Sequence, residues 1–136
     1  ATCIKHGSEV AVLSIGAIGN TVSEALKSMD IGKRNLFAHY DMRWLKPIDE
    51  FVLKEVAENY HTIITVEDGV INGGLGSAVA EYVTGNGYRV SGNGKRVIRL
   101  GVNDQFVEHG STKELYQLLK LDKEGICESL LQALEQ

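Results

Sequence analysis

The residues best placed to do chemistry follow one apolar stretch of the sequence. Residues 62–66 read Thr-Ile-Ile-Thr-Val, and the next two residues are the acids Glu67 and Asp68. A glycine-rich segment over residues 69–76 comes next, just before an amphipathic stretch. Open α/β sheets place polar and glycine residues at the carboxyl ends of their strands in this way. The pattern therefore predicts that the functional edge of a sheet lies after residue 66.

The glycine-rich segment has two interpretations. Residues 73–76 read Gly-Gly-Leu-Gly before a predicted helix, and the N–H groups at a helix N-terminus favour an anion. However, Val79 stands where the dinucleotide fingerprint has a further glycine, and no lysine completes a phosphate loop. We therefore favour close packing as the role of these glycines, and a stand-alone anion-binding module remains the alternative.

The acids and the four histidines show no catalytic or metal-binding spacing. Glu67 and Asp68 are adjacent, so their side chains point to opposite faces of an extended strand and do not act on the same atom. His39 lies inside a predicted buried strand and is expected to be a core residue with its hydrogen bonds satisfied. His109 lies in a loop before a helix, where functional side chains concentrate, and we interpret it as an exposed or interface residue.

Predicted strands and helices alternate along the chain. Strands are predicted over residues 10–15, 36–40, 62–66 and 97–100, with a short edge strand over residues 2–5. Helices are predicted over residues 21–29, 50–60, 75–84, 112–119 and 123–134, and residues 88–95 form a predicted loop. Apolar strands that alternate with helices predict a largely parallel sheet covered on both faces.

Polar residues and glycines indicate where the helices begin and end. Asp49 and Asp122 are predicted N-caps, Asn20 is a further candidate cap, and Gly85 with Gly87 ends the helix over residues 75–84. The spacing of two further pairs is that of capping boxes: Thr21 with Glu24, and Ser111 with Glu114. The last helix has an apolar stripe of near-ideal spacing: Ile126, Cys127, Leu130, Leu131 and Leu134.

Size and composition predict one globular domain over residues 1–136. The net charge of −4 and the dispersed Lys and Arg residues argue against nucleic-acid binding. No apolar stretch is long enough to span a bilayer and no signal-peptide pattern opens the sequence, so we expect no membrane association. Cys3 and Cys127 show no metal or CxxC spacing, which predicts free thiols in a reducing, cytoplasmic location.

Three segments together resemble one enzyme family. They are residues 41–49 (Asp-Met-Arg-Trp-Leu-Lys-Pro-Ile-Asp), residues 66–79, and residues 99–111, which end in Glu-His-Gly-Ser. The chain resembles the C-terminal domain of the 1-deoxy-D-xylulose-5-phosphate synthases, which are thiamine-diphosphate-dependent relatives of transketolase. The resemblance covers essentially the whole chain. One departure is Asn103, where the family more often has proline.

The resemblance implies a fold and a reaction. The fold would be a three-layer α/β/α sandwich on a five-stranded, mostly parallel sheet with one short antiparallel strand. The parent enzyme would join pyruvate to glyceraldehyde 3-phosphate with loss of carbon dioxide, in isoprenoid and thiamine biosynthesis. Thiamine diphosphate and Mg²⁺ would bind between upstream domains of a homodimer. Those domains would carry the cofactor motif and the catalytic residues, so no catalytic, cofactor or metal residue is assigned to this chain. The Asp68-Gly69 pair is no match to the cofactor's Gly-Asp-Gly motif, because Glu67 stands in place of the first glycine.

The implied role is therefore structural. This domain would support the upstream domains of its own enzyme and widen the interface with a second subunit, while the isolated fragment would be inactive and bind no cofactor. The candidate interface residues lie on loops at the carboxyl ends of strands: Glu67, Gly73, Gly74 and His109. A third domain of a transketolase or of a 2-oxoacid dehydrogenase β subunit remains the alternative, against which the Glu-His-Gly-Ser segment argues.

Overall fold

The computed structural model describes residues 1–43, 48–70, 74–87, 95–102 and 121–135. Within these ranges the strands are β1 (Thr2–Lys5), β2 (Val10–Ile15), β3 (Phe37–Asp41), β4 (Thr62–Val70) and β5 (Arg96–Val102). The helices in the same ranges are α1 (Ile18–Lys27), α2 (Ile31–Arg34), α3 (Glu50–Asn59), α4 (Leu75–Gly85) and α5 (Lys123–Glu135). The predicted alternation of strands and helices is therefore confirmed.

The strands form one sheet in the order β1-β3-β2-β4-β5. Strands β3, β2, β4 and β5 are mutually parallel, and β1 pairs antiparallel with β3 at the edge. This arrangement confirms the expected mostly parallel sheet with one short antiparallel strand. Strand β4 continues to Val70, past the predicted end at residue 66, because its pairing with β5 resumes after a register shift between Val66 and Val70.

Alternation along the strands divides the core into two layers, one on each face of the sheet. In β2, Val10 and Val12 face one layer, whereas Ala11 and Leu13 face the other. The first layer is completed by apolar residues of α1 and α5, and the second by apolar residues of α3 and α4. The expected three-layer α/β/α sandwich is confirmed.

The predicted capping residues differ in outcome. Asp49 accepts a hydrogen bond from the Val52 N–H at 3.1 Å, and Asp122 accepts one from the Gly125 N–H at 2.9 Å, so both N-cap predictions are confirmed. Gly85 is the last residue of α4 and Gly87 has a φ of +86°, which confirms the predicted end of that helix.

The predicted start of α1 is wrong. The helix begins at Ile18, so Thr21 and Glu24 lie inside it and form no capping box, and Asn20 is a helical residue rather than a cap. Gly16 adopts a φ of +87° and its carbonyl accepts from the Gly19 N–H at 3.1 Å, so the turn leads into the helix without a side-chain cap. The short helix α2 was not predicted. The predicted helix over residues 112–119, with its Ser111–Glu114 capping box, and the predicted loop apart from Lys95 lie outside the described residues.

Candidate functional site

After the two central strands, the chain turns to opposite faces of the sheet. Strands β2 and β4 are neighbours, with Ile15 in register with Glu67. The chain leaves β2 into α1 on one face of the sheet and leaves β4 into α4 on the other face. In open parallel sheets such a divergence creates a crevice that commonly binds ligands. The candidate site is therefore this edge, which also carries Glu67 and Gly74.

Glu67 turns back onto its own domain. Its side chain is only 5% exposed, and its Oε2 accepts a hydrogen bond from the Gly76 N–H at 2.9 Å. The first N–H groups of a helix have no partner within the helix and carry a partial positive charge. The Glu67 carboxylate therefore stabilises the N-terminus of α4 from within the chain. This contact occupies a donor that an anion-binding module would need.

The glycines before α4 allow close packing. A Cβ on Gly76 would lie 2.9 Å from Cγ and Cδ of Arg99 and 3.0 Å from Oγ1 of Thr65. Gly74 is the N-cap position of α4 and forms no side-chain cap there. The close contacts of Gly76 support the packing interpretation of this segment. Gly73 and His109 lie outside the described residues, so their predicted interface role stays a prediction.

Asp68 lies on the opposite side of the strand from Glu67. It is exposed, and its Oδ1 is 3.8 Å from where a Cβ on Gly16 would be, so it lies beside the β2–α1 turn. One acid is thus buried against α4 and its neighbour is exposed near α1. This divergence confirms that the two carboxylates do not converge on one atom.

A buried histidine forms the β3 side of this edge. His39 is 1% exposed, with its Nε2 at 2.7 Å from the Ser14 hydroxyl and its Nδ1 at 3.4 Å from the Ser23 hydroxyl. The predicted core position of His39 with satisfied hydrogen bonds is confirmed. The two serine partners were missed, although Ser14 is the single polar residue in the otherwise apolar β2.

Burial determines the charge of this histidine. Removal from water lowers the pKa of His39 to about 4, and the nearby Asp41 carboxylate opposes that effect to a smaller extent. The imidazole is therefore neutral near pH 7, with one ring nitrogen donating and the other accepting. Ser14, His39 and Ser23 therefore form a short hydrogen-bonded chain beneath the carboxyl edge of the sheet, and His39 is not an exposed catalytic group.

Among the described residues, the side chains at this edge offer no ligand set for a metal ion of thiamine diphosphate. Within the described ranges, no group of three His, Cys, Asp or Glu residues is placed to hold a metal ion. Glu67 already bonds to α4, and Cys3 and Cys127 are free thiols far apart in sequence.

In the same part of the chain, none of the helices has the length and apolar character needed to cross a bilayer.

A family model and two curated relatives indicate what this chain is similar to. The model of the family "Transketolase, C-terminal domain" matches residues 1–126. The 1-deoxy-D-xylulose-5-phosphate synthase of Parabacteroides distasonis is 50% identical over 127 residues, which are 93% of this chain and 19% of that protein. The synthase of Bacteroides fragilis is 43% identical over 123 residues, 90% of this chain and 18% of that protein. The chain thus spans about a fifth of the length of these relatives.

A solved structure supports the same relationship. The inactive β4 tetramer of a split-gene transketolase superimposes with a TM-score of 0.81 and 31% sequence identity, over 98% of this chain and 42% of that chain. The sheet order, the two helical layers and the match over residues 1–126 agree with one another. The chain therefore belongs to the transketolase C-terminal domain family.

Proposed function

We propose that residues 1–136 form the C-terminal domain of a 1-deoxy-D-xylulose-5-phosphate synthase. The observation that carries this proposal is the 50% identity to the Parabacteroides distasonis synthase over 93% of the chain. The whole enzyme would condense pyruvate with glyceraldehyde 3-phosphate, release carbon dioxide and supply isoprenoid and thiamine biosynthesis in the cytoplasm. The Glu-His-Gly-Ser segment at residues 108–111 favours the synthase over other members of the family.

The proposed role of the domain is to support the rest of the enzyme. In the described residues, the carboxyl edge of the sheet is stabilised by contacts within the domain, from Glu67 to α4 and from His39 to two serines. We place the thiamine diphosphate and Mg²⁺ sites on other domains of the same enzyme, which works as a homodimer. The residues that we propose for the interface, from the sequence, are Glu67, Gly73, Gly74 and His109.

A domain exchange tests the proposal directly. The matching C-terminal part of the Parabacteroides distasonis synthase is replaced by this chain, and formation of 1-deoxy-D-xylulose 5-phosphate is measured. We expect the chimera to retain activity, whereas the truncated synthase without the domain loses it. A folded, dimeric chimera without activity would contradict the proposal. A second chimera carrying a transketolase C-terminal domain is the matched control, and the synthase proposal requires it to be the poorer enzyme.

The location of the cofactor is tested on the chain alone. Isothermal titration with thiamine diphosphate and Mg²⁺ is expected to show no binding to the 136-residue chain. Turnover of pyruvate by the isolated chain is also expected to be absent. Tight cofactor binding or measurable turnover would contradict a cofactor site on other domains.

A transketolase parent is the second candidate. It is favoured by the 31% identity and the TM-score of 0.81 to the split-gene transketolase. That structure also shows a protein of this class that is inactive as a β4 tetramer, which agrees with a reactive centre completed by other polypeptide. The two chimeras distinguish the candidates, because a chain from a transketolase would restore the synthase no better than the transketolase C-terminal domain of the control chimera does.

A further inference from the structure

The side of the sheet that faces α1 changes from apolar to polar toward the carboxyl ends of β2 and β3. In β2, Val10 and Val12 are followed on the same face by Ser14. In β3, Phe37 is followed on that face by His39 and then Asp41. Helix α1 packs on the apolar part of this face, so a polar gap is left beside its first turns.

Polar side chains on one face of α1 line this gap. Asn20, Ser23 and Lys27 are three and four residues apart, so they lie on the same side of the helix. Asn20 and Ser23 line an inner cavity of about 170 Å³, together with Asp41. Ser23 and Lys27 line an outer cavity of about 250 Å³. The two cavities share the lining residues Ile4, Ser23 and His39 and are therefore adjacent; together they are called here the α1 groove.

Two positive charges are fixed in the wall of the outer cavity. The Lys5 ammonium donates to the carbonyls of His6 at 3.0 Å, Arg34 at 2.7 Å and Phe37 at 2.9 Å. The Arg34 Nη2 donates to the carbonyls of Lys27 and Met29, both at 3.1 Å. These bonds hold both cations in place without neutralising them, because each partner is an uncharged carbonyl.

Among the described residues, the outer cavity has no counter-ion. Lys5, Lys27 and Arg34 line it, and none of its described lining residues is a carboxylate. None of the three cations forms an ion pair within the part of the chain that the structure describes. Burial and the neighbouring Arg34 charge both lower the pKa of Lys5, as expected for a cation without an anionic partner. This concentration of positive charge is unusual in a chain whose net charge is −4.

The inner cavity has a different character from the outer one. Ser23 and Asp41 are half-buried there and Asn20 is exposed, and together they provide both donors and acceptors for hydroxyl groups. Ile4, which is 51% exposed, lines both cavities and can cover a short carbon chain. A ligand that fits the whole groove has an anionic end and a short hydroxylated end.

We propose that the α1 groove binds a small phosphate monoester that carries hydroxyl groups. The phosphate, with about two negative charges, lies in the outer cavity, where Lys27 is free to contact it and Lys5 and Arg34 attract it as fixed charges. The carbon chain of the ligand lies along Ile4, and its hydroxyl groups form hydrogen bonds with Asn20, Ser23 and Asp41. The proposal does not depend on the synthase reaction, so it survives a failed domain exchange.

A titration of the chain with three probes tests this site. Amide ¹H–¹⁵N shifts are followed with glycerol phosphate, inorganic phosphate and glycerol at constant ionic strength, because salt screens exposed charges. We expect saturable shifts around Asn20, Ser23 and Lys27 with both phosphates, tighter binding of glycerol phosphate by about threefold or more, and no shifts with glycerol. Absence of saturable shifts, or equal affinity for the two phosphates, would overturn the proposal.

Two charge-reversal variants distinguish binding at a specific site from non-specific electrostatic attraction. Lys27→Glu is expected to weaken glycerol phosphate binding by about tenfold or more, because it places an acid in the outer cavity. Lys33→Glu is the matched control, since Lys33 is exposed on α2 and does not line the groove. It should change the affinity by less than about twofold. Equal losses in the two variants would show that binding follows net charge, and the site would be rejected.

Discussion

At the scale of single residues, polar groups in this domain are held by contacts inside the domain. The His39 imidazole bonds to two serine hydroxyls, and Asp49 and Asp122 each accept a backbone N–H at the start of a helix. Buried or partly buried polar groups are costly when they lack partners, so such contacts decide which polar residues the fold tolerates. Two of these sites give predictions that can be measured on the isolated chain.

The burial of His39 should make stability depend on pH. Its pKa is about 4 in the folded chain, below the value of 6.5 that an unfolded histidine has. Between those two values the unfolded chain binds more protons, so the free energy of unfolding falls as the pH is lowered from 6.5 toward 4. The expected loss from this residue is at most about 3 kcal/mol.

Urea unfolding at several pH values checks this prediction. His39→Gln should flatten the fall in stability between pH 6.5 and 4 relative to the wild type. His61→Gln, at an exposed position, is the control and should retain the wild-type pH dependence. If wild type and His39→Gln show parallel pH profiles, His39 does not titrate as a buried neutral group.

Asp49 should contribute more to stability than Asp30, although both occupy N-cap positions. Asp49 bonds to the Val52 N–H, which also lowers its pKa, whereas Asp30 makes no side-chain cap. Asp49→Ala is expected to lower the free energy of unfolding by about 1 kcal/mol, and Asp30→Ala by less than about 0.5 kcal/mol. Chemical denaturation at pH 7 measures both. Equal effects would mean that the Asp49 bond contributes nothing.

At the scale of elements, the start of α4 combines a charge contact with close packing. Glu67 reaches from β4 to the first turn of the helix, and Gly76 in that turn lies against side chains of β4 and β5. A side chain at position 76 would push the helix away from the sheet and from Glu67. The glycine-rich segment is therefore explained, in its described part, by how tightly α4 must pack.

Two glycines of α4 should respond in opposite ways to alanine. Gly76→Ala places a Cβ within 3.0 Å of Arg99 and Thr65 atoms, so we expect a loss of about 1–3 kcal/mol. Gly85→Ala meets nothing within 4 Å and should be neutral or stabilise by up to about 1 kcal/mol, because alanine favours helix. Urea unfolding compares the two. A stable Gly76→Ala protein would show that Arg99 moves aside at little cost.

At the scale of the whole molecule, one sheet joins two apolar layers. Leu130 of α5 is fully buried in the layer that contains α1, and Leu53 of α3 is 1% exposed in the opposite layer. Because both layers pack on the same strands, loss of packing in either layer weakens the whole fold. We therefore expect the domain to unfold as one unit.

Truncation of either leucine should destabilise the protein by a similar amount. Leu130→Ala and Leu53→Ala are each expected to cost about 2–5 kcal/mol, from lost burial and the cavity left behind. Circular dichroism and tyrosine absorbance should give coincident unfolding curves for both variants. Gln132→Ala, at an exposed site of α5, should stay within about 0.5 kcal/mol of wild type. A loss below that value for Leu130→Ala would mean that α5 is peripheral.

Local pattern was sufficient to predict much of this fold. The apolar run of residues 10–15, the N-caps Asp49 and Asp122 and the burial of His39 depend on neighbours in sequence and on side-chain periodicity, and all are confirmed. The start of α1 was missed because a backbone turn at Gly16, rather than a side-chain cap, begins that helix. Gly16 marks the turn, but it does not by itself show at which of the following residues the helix begins.

The sequence by itself determined the alternation of strands with the main described helices and the family to which the chain belongs, because these follow from periodicity and short motifs. Tertiary structure alone decided which polar residues meet. Glu67 reaches Gly76, Ser14 meets His39, and Lys5 lies beside Arg34 only once strands and helices separated by 9, 25 and 29 residues pack together. Contacts of that kind depend on the path of the whole chain in space, which no local spacing encodes.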